Sequence, residues 1–184
     1  MLMLFVDETN DSKFKDYFGL ACAMVNSNFY SGIKREFNKI FSQAGWDRGT
    51  EFKGSCLFSA TSGCLGVPVE KRIQIASKIL SLNVSKKNAR MRFGYFKKLQ
   101  SRDFRKDYLN YLPRLLEKIL PKAKKGAGGK DLISIHYDQR SDLKAEDVYK
   151  SVSDIITKKK YVLYENVVEA KSNFESVGIL YADM

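Results

Sequence analysis

The sequence predicts an α/β fold: a mixed sheet, antiparallel at its start and then extended by parallel crossover strands, flanked by helices. Three observations carry this expectation. Apolar runs of strand length open the chain and recur along it, segments of helical period are interleaved with them, and the first two runs are joined by a short polar connection that favours a hairpin. A length of 184 residues supplies one domain with a sizeable core, so residues 1–184 are expected to form a single unit. With 44% hydrophobic and 12% aromatic residues the composition is globular, far from that of a disordered chain.

The elements follow in order. Residues 2–7 are apolar up to Asp7-Glu8 and suit a central strand buried on both faces. After the turn-like Asn10-Asp11-Ser12-Lys13, Tyr17 to Val25 forms the second strand. Ile33, Phe37, Ile40, Phe41 and Ala44 are spaced as one face of a helix, with Gly45 placed to end it. Residues 46–66, rich in Gly, Ser and Thr, lack a period and read as an irregular excursion. Pro68 suits a first helical position ahead of Val69, Ile73, Ala76 and Leu80. Arg90 to Leu99 alternates basic and apolar residues as an edge strand with a solvated face would. Ser101 is placed to cap a helix through Phe104, Tyr108, Leu112, Leu115 and Ile119, which Pro113 should kink or divide. A basic, glycine-rich loop at 122–130 leads to a strand over Asp131 to Asp138. Val148, Val152, Ile155 and Ile156 mark another helix, Tyr161 to Val168 a fifth strand, and 176–184 a terminal segment.

The net charge of +11 favours an anionic partner. Its distribution is uneven: 15 Lys or Arg against 3 acidic residues lie between Lys86 and Lys130, and the rest of the chain is near neutral. The excess is interleaved with Phe93, Tyr95, Phe96, Phe104, Tyr108 and Tyr111. This predicts a nucleic-acid groove in which Arg90, Arg92, Lys97, Lys98, Arg102, Arg105 and Lys106 meet phosphates and some aromatics stack on bases. The plainer reading, a solvated lysine-rich face with core aromatics behind it, stands beside it. No stretch approaches a membrane span, the N-terminal apolar run is too short and lacks the basic leader of a signal peptide, and no membrane partner is expected; a cytoplasmic location follows. Nothing in the sequence indicates a homo-oligomer. Cys22, Cys56 and Cys64 read as reduced, mostly buried thiols, since they lack paired spacing and His136 is the sole histidine.

Metal-dependent phosphodiester chemistry needs carboxylates that converge, because hard divalent cations take oxygen ligands. Asp7 and Glu8 close the first strand, Asp138 closes the fourth, and Asp183 lies in the terminal segment. If the first and fourth strands are parallel neighbours, Asp7 and Asp138 emerge at one edge, where α/β sheets bind ligands. From position alone, turn or cap roles for these residues are as common.

Asp7-Glu8-Thr9 after an apolar strand, Glu51-Phe52-Lys53-Gly54-Ser55 in the excursion, Tyr137-Asp138 after another strand, and Ser176-Val177-Gly178-Ile179-Leu180-Tyr181-Ala182-Asp183 succeed one another along essentially the whole chain. In that succession the sequence resembles the bacterial and phage "domain of unknown function 3800" family. The resemblance implies a ribonuclease H-like fold, with which the order of elements is also compatible, and an acidic site binding Mg²⁺ or Mn²⁺. It carries catalytic roles to Asp7, Glu8, Asp138 and Asp183, with Asp7, Asp138 and Asp183 as the metal ligands. Thr9-Asn10 replaces the family's usual Ser-Gly, and Leu180 stands where Gln is common. The family continues with a helix after Ala-Asp, so a shortened C-terminus is expected here.

The expectation is therefore a divalent-metal-dependent nuclease acting on DNA or RNA. Alternatives from other classes are a catalytically inactive ribonuclease H-like module that binds nucleic acid or a partner protein, and a lysine-rich scaffold. Other signals weigh less. Gly126-Ala127-Gly128-Gly129-Lys130 lacks the spacing and context of a phosphate loop. His136 reads as a packed strand residue, not a general base. Asn83-Val84-Ser85 is a glycosylation sequon only for secreted chains. Glu51 and Lys53 read as an ion pair across a loop as readily as substrate contacts.

Overall fold

The structure, a computed structural model, describes residues 1–9, 16–46, 67–85, 89–98, 103–123, 131–170 and 177–182. The strand β1, Leu2–Thr9, and β2, Tyr17–Asn26, pair antiparallel with Asp7 opposite Ala21. The helix α1, Ser27–Gln43, follows β2 without a loop, beginning six residues before the first of the helix-spaced apolar positions. The reason is local: the Asn26 side chain accepts a hydrogen bond from the Asn28 backbone N–H at 3.1 Å and caps the helix at the strand's end. Gly45, at φ 71°, terminates it in the left-handed conformation expected from the sequence.

Helix α2, Val69–Ser85, leads to β3, Ala89–Lys97, which pairs antiparallel with β2 and forms an edge of the sheet. Helix α3, Phe104–Ile119, is capped by Asp103, whose carboxylate accepts from the Lys106 N–H at 3.2 Å. It passes undivided through Pro113, so of the expected kink or division the division does not occur. Leu112, Leu115 and Leu116, all buried around the proline, hold both halves on one core and offset the lost backbone bond.

Strand β4, Asp131–Asp138, lies parallel to β1, with Leu2 opposite Ile133 and Val6 opposite Tyr137. Helix α4, Ala145–Lys158, is followed by two short strands, β5, Tyr161–Leu163, and β6, Val168–Ala170. The fifth strand expected over 161–168 is thus split. Both pieces pair parallel with β4, β5 at its start and β6 at its end. Between them the chain bends, and the Asn166 side chain accepts from the Val167 N–H at 2.8 Å, closing a local turn where an unbroken ladder would have run. A helical turn, α5, Val177–Ala182, occupies part of the terminal segment.

The sheet formed by the described residues runs β3-β2-β1-β4-β5, with β6 also on β4. Strand alternation divides the core. Leu4, Val6, Leu20, Ile135 and Tyr137 pack with α3 and α4 on one face. Phe5, Ala23 and Val25 pack with α1, α2 and α5 on the other. Phe5 is stacked against Tyr30 at 5.2 Å and His136 at 4.8 Å. Gly178 of α5 sits directly over the Phe5 ring, with which any Cβ would overlap. Cys22 is buried, as expected, and burial pushes its thiol up to about 12. Cys56, Cys64, the basic loop from residue 124 and the excursion from residue 47 lie outside the described residues.

Candidate active site

The parallel register of β1 and β4 brings Asp7 and Asp138 together. Val6 faces Tyr137, so the next residues of the two strands are the two aspartates, at the carboxyl ends of neighbouring parallel strands. Alternation puts both on the Phe5–His136 face. Each carboxylate accepts the N–H of the following residue, from Glu8 at 2.8 Å and from Gln139 at 3.0 Å, which fixes its rotamer against the strand end. Asp7 is buried, at 6% exposure, whereas Asp138 is half-exposed.

Glu8 goes the other way. It points to the α3 side, where the Arg140 guanidinium donates to its Oε1 at 2.6 Å. Arg140 also grips Asp142 through Nε and Nη2, at 2.8 and 3.1 Å, and lies 3.6 Å from the Phe104 ring centre. Burial raises the Glu8 pKa above the ordinary carboxylate value; Arg140's hydrogen bond and charge oppose the shift, and the charge of Asp138 adds to it. Asp142 is held below its usual value, chiefly by its hydrogen bond to Arg140. Glu8 is therefore tied into a clamp on the far side of the strand from the aspartate pair. Arg140 escaped sequence reading because the contact joins residues far apart in the chain; Arg140-Ser141-Asp142 after the strand was the local trace of it.

Of the remaining residues singled out in the sequence, Asp183, Glu51, Lys53 and Arg102 lie outside the described residues. The helix α5 that precedes Asp183 packs on the Asp7–Asp138 face, with Ile179 and Ala182 buried beside Phe5. His136 is half-buried, its pKa lowered by burial, and its Nε2 is 2.7 Å from the Ser134 hydroxyl, which fits a packed strand residue.

Of the residues expected to line a basic groove, those described lie at two levels along the sheet. β3 is parallel to β1, so Lys97 and Lys98 at its end and Arg105 and Lys106 at the start of α3 share the acidic edge. Arg92 and Arg90 lie opposite Cys22 and Met24, well down the strand. At about 3.4 Å per residue, Arg92 is about 17 Å from Lys97. Arg105 pairs with Asp147 at 2.8 Å and Lys106 with Asp103 at 3.5 Å.

Two aspartates on adjacent strand ends offer hard oxygen donors of the kind Mg²⁺ or Mn²⁺ takes, since Mg²⁺ is commonly held by one or two carboxylates with substrate phosphate completing its shell. The pair fits such an ion. Among the described residues, no group of three or more His, Cys, Asp or Glu side chains gathers as a metal site. No helix among them is long and apolar enough to cross a membrane.

No family model matches the sequence, and no curated protein matches it. The fold is similar to that in the solved PCNA:RNase HII complex from Archaeoglobus fulgidus, with a TM-score of 0.51 and 10% identity over 100% of this chain and 69% of that chain. At that identity the likeness is one of fold: a mixed sheet flanked by helices, as in ribonuclease HII.

Proposed function

We propose that the chain is a divalent-metal-dependent nuclease of ribonuclease H-like fold, related to the "domain of unknown function 3800" family. The observation that carries this reading is the placement of Asp7 and Asp138 side by side at the ends of adjacent parallel strands. These two residues would hold Mg²⁺ or Mn²⁺, with Asp183, the next residue in sequence after α5, as the third ligand. A cation held there supplies Lewis-acid stabilisation of charge developing on the scissile phosphate. The backbone N–H groups of Glu8 and Gln139 lock the two carboxylates in place, so the ligand pair is preorganised. Glu8 takes no part in ligation; it is a positioning residue that, through Arg140, secures the end of β1 to the segment following β4. Lys97, Lys98 and Lys106, at the same edge, meet the polyanion backbone.

The test is cleavage of labelled DNA and RNA, single- and double-stranded, with Mg²⁺, with Mn²⁺ and with EDTA, by the wild type, Asp7→Asn and Asp138→Asn. Metal-dependent cleavage lost in both variants, with the circular dichroism melt unchanged, supports the reading. Cleavage at wild-type rate by both variants overturns it. Salt-sensitive binding by a wild-type protein that neither cleaves nor binds Mn²⁺ assigns the inactive nucleic-acid-binding module instead.

A further inference from the structure

The face that carries Asp7 and Asp138 continues across β2 to an exposed aromatic ring. Phe18, Leu20, Cys22 and Met24 of β2 turn into the α3–α4 core, so the alternate set, Tyr17, Gly19 and Ala21 among them, lies on the aspartate side. Ala21 stands directly opposite Asp7, and Tyr17 directly opposite Lys97 of β3. Directly opposed residues of an antiparallel pair share a face, so Asp138, Asp7, Ala21, Gly19 and then Tyr17 with Lys97 lie on one side of the sheet, with Asp7 and Gly19 buried on the helix-packed side and the last pair at the open end. Tyr17 is 51% exposed and Lys97 is exposed. The Lys98 N–H donates to the Asp16 carbonyl at 2.7 Å, which joins the two strands' backbones just past this pair. From Ala21 to Tyr17 is about 14 Å along the strand. That is about four nucleotides at a stacked rise of 3.4 Å.

An exposed phenol ring beside an ammonium group is chemistry that recognises an unpaired base together with its phosphate. In a duplex the faces of the bases are covered by their neighbours. The geometry points to Tyr17 and Lys97 as a subsite for an unpaired nucleotide about four nucleotides from the scissile phosphate, so the polymer taken is single-stranded there. Tyr17 stacks on the base and Lys97 meets the adjoining phosphate. This assignment deepens the nuclease reading and rests on it for the position of the scissile bond.

The experiment measures binding by fluorescence anisotropy in EDTA, where no cleavage occurs, with labelled oligo(dT), oligo(U) and a duplex of matched length. Tyr17→Ala is expected to weaken single-strand binding about tenfold and to leave duplex binding unchanged, with Tyr17→Phe retaining wild-type affinity. Lys97→Ala is expected to lower the salt slope for single strands by about 0.7. Weakening on oligo(dT) alone or oligo(U) alone also supports the subsite, and oligo(dU), which differs from oligo(U) only at the 2′ position, then separates sugar from base. Wild-type affinity of Tyr17→Ala for both single strands overturns it, as does an equal loss on the duplex. Because binding in EDTA needs neither metal nor the aspartates, failure of the nuclease reading appears in the cleavage assay and failure of this subsite appears here.

Discussion

At its acidic edge the sheet has two unlike faces, and neighbouring residues of one strand fall on either side. Glu8 faces α3 and is matched by Arg140, which in turn is held by Asp142 and the ring of Phe104. Asp7, one residue earlier, faces the α1–α2–α5 side and has a second carboxylate, Asp138, as its neighbour on β4. On one face a carboxylate is neutralised by a cation of the protein itself. On the other, two carboxylates are brought side by side at the strand ends, each accepting the N–H of the residue that follows it. The strand's two-residue period decides which face of the sheet each carboxylate serves.

The contrast breaks most severely at the paired aspartates. Asp7→Asn or Asp138→Asn is expected to lower metal-dependent cleavage by roughly 10²- to 10⁴-fold, several kcal/mol of lost stabilisation at 1.36 kcal/mol per factor of ten. Steady-state rates in Mg²⁺ and Mn²⁺ check this. Gly178→Ala tests whether α5 belongs to the same face. The added methyl would overlap Phe5, so α5 must lift off and expose Ile179, a loss of about 3 kcal/mol in urea denaturation. If Asp183 is the third ligand, cleavage falls with it while single-strand binding in EDTA persists.

Arg140→Ala attacks the opposite face. It removes the charge-assisted bond to Glu8 and the contact with Phe104, and about 2 kcal/mol of stability is expected to go. Two titrations sharpen the result. Asp142 loses the hydrogen bond that depresses it, so its midpoint rises toward the ordinary value. Glu8 loses both influences that oppose its burial, so its already raised midpoint rises further. Carbon-detected NMR titration reads both shifts. The consequences for stability have opposite signs. Asp142, depressed in the fold, contributes stability that is present above its unfolded pKa and lost as pH falls through the folded one. Glu8, raised in the fold, contributes stability that is present below its unfolded pKa and lost as pH rises through the folded one. The smallest effect is expected from Glu8→Gln, which leaves kcat within about threefold of the wild type, since Glu8 is not a ligand and the amide oxygen still accepts from Arg140.

Much of the scaffold was legible because it depends on run length and alternation. Tyr17 to Val25 and the short polar turn before it predict the hairpin; the basic-apolar alternation from Arg90 predicts an edge strand; and the apolar runs ending on Asp7 and Asp138 mark two strands whose parallel pairing only the register shows. Local competition and distant contacts hid the rest. Asn26 starts α1 ahead of Ile33 because its side chain caps the first turn and Tyr30, three residues before Ile33, extends the packed face. Asn166 splits the fifth strand by offering the backbone a nearer acceptor. Helix α5 is too short to be stable on its own propensity, so it is visible only as a consequence of Gly178 resting on Phe5. At the edge, Asp7 and Asp138 could be named from strand ends, whereas the Glu8–Arg140 clamp required knowing that the residue two past β4 comes back to β1.

The pairing of β1 with β4 has a kinetic consequence. β1, β2 and β3 are antiparallel neighbours in chain order, but Leu2 meets Ile133 only after the intervening chain has been closed into a loop, the slowest kind of contact to form. A partly folded chain holding only the β1–β2–β3 meander contains Asp7 without Asp138. If the proposed nuclease reading holds, cleavage is expected to return only with the completion of the long-range pairing, so that regain of activity during refolding would time the closure of the sheet.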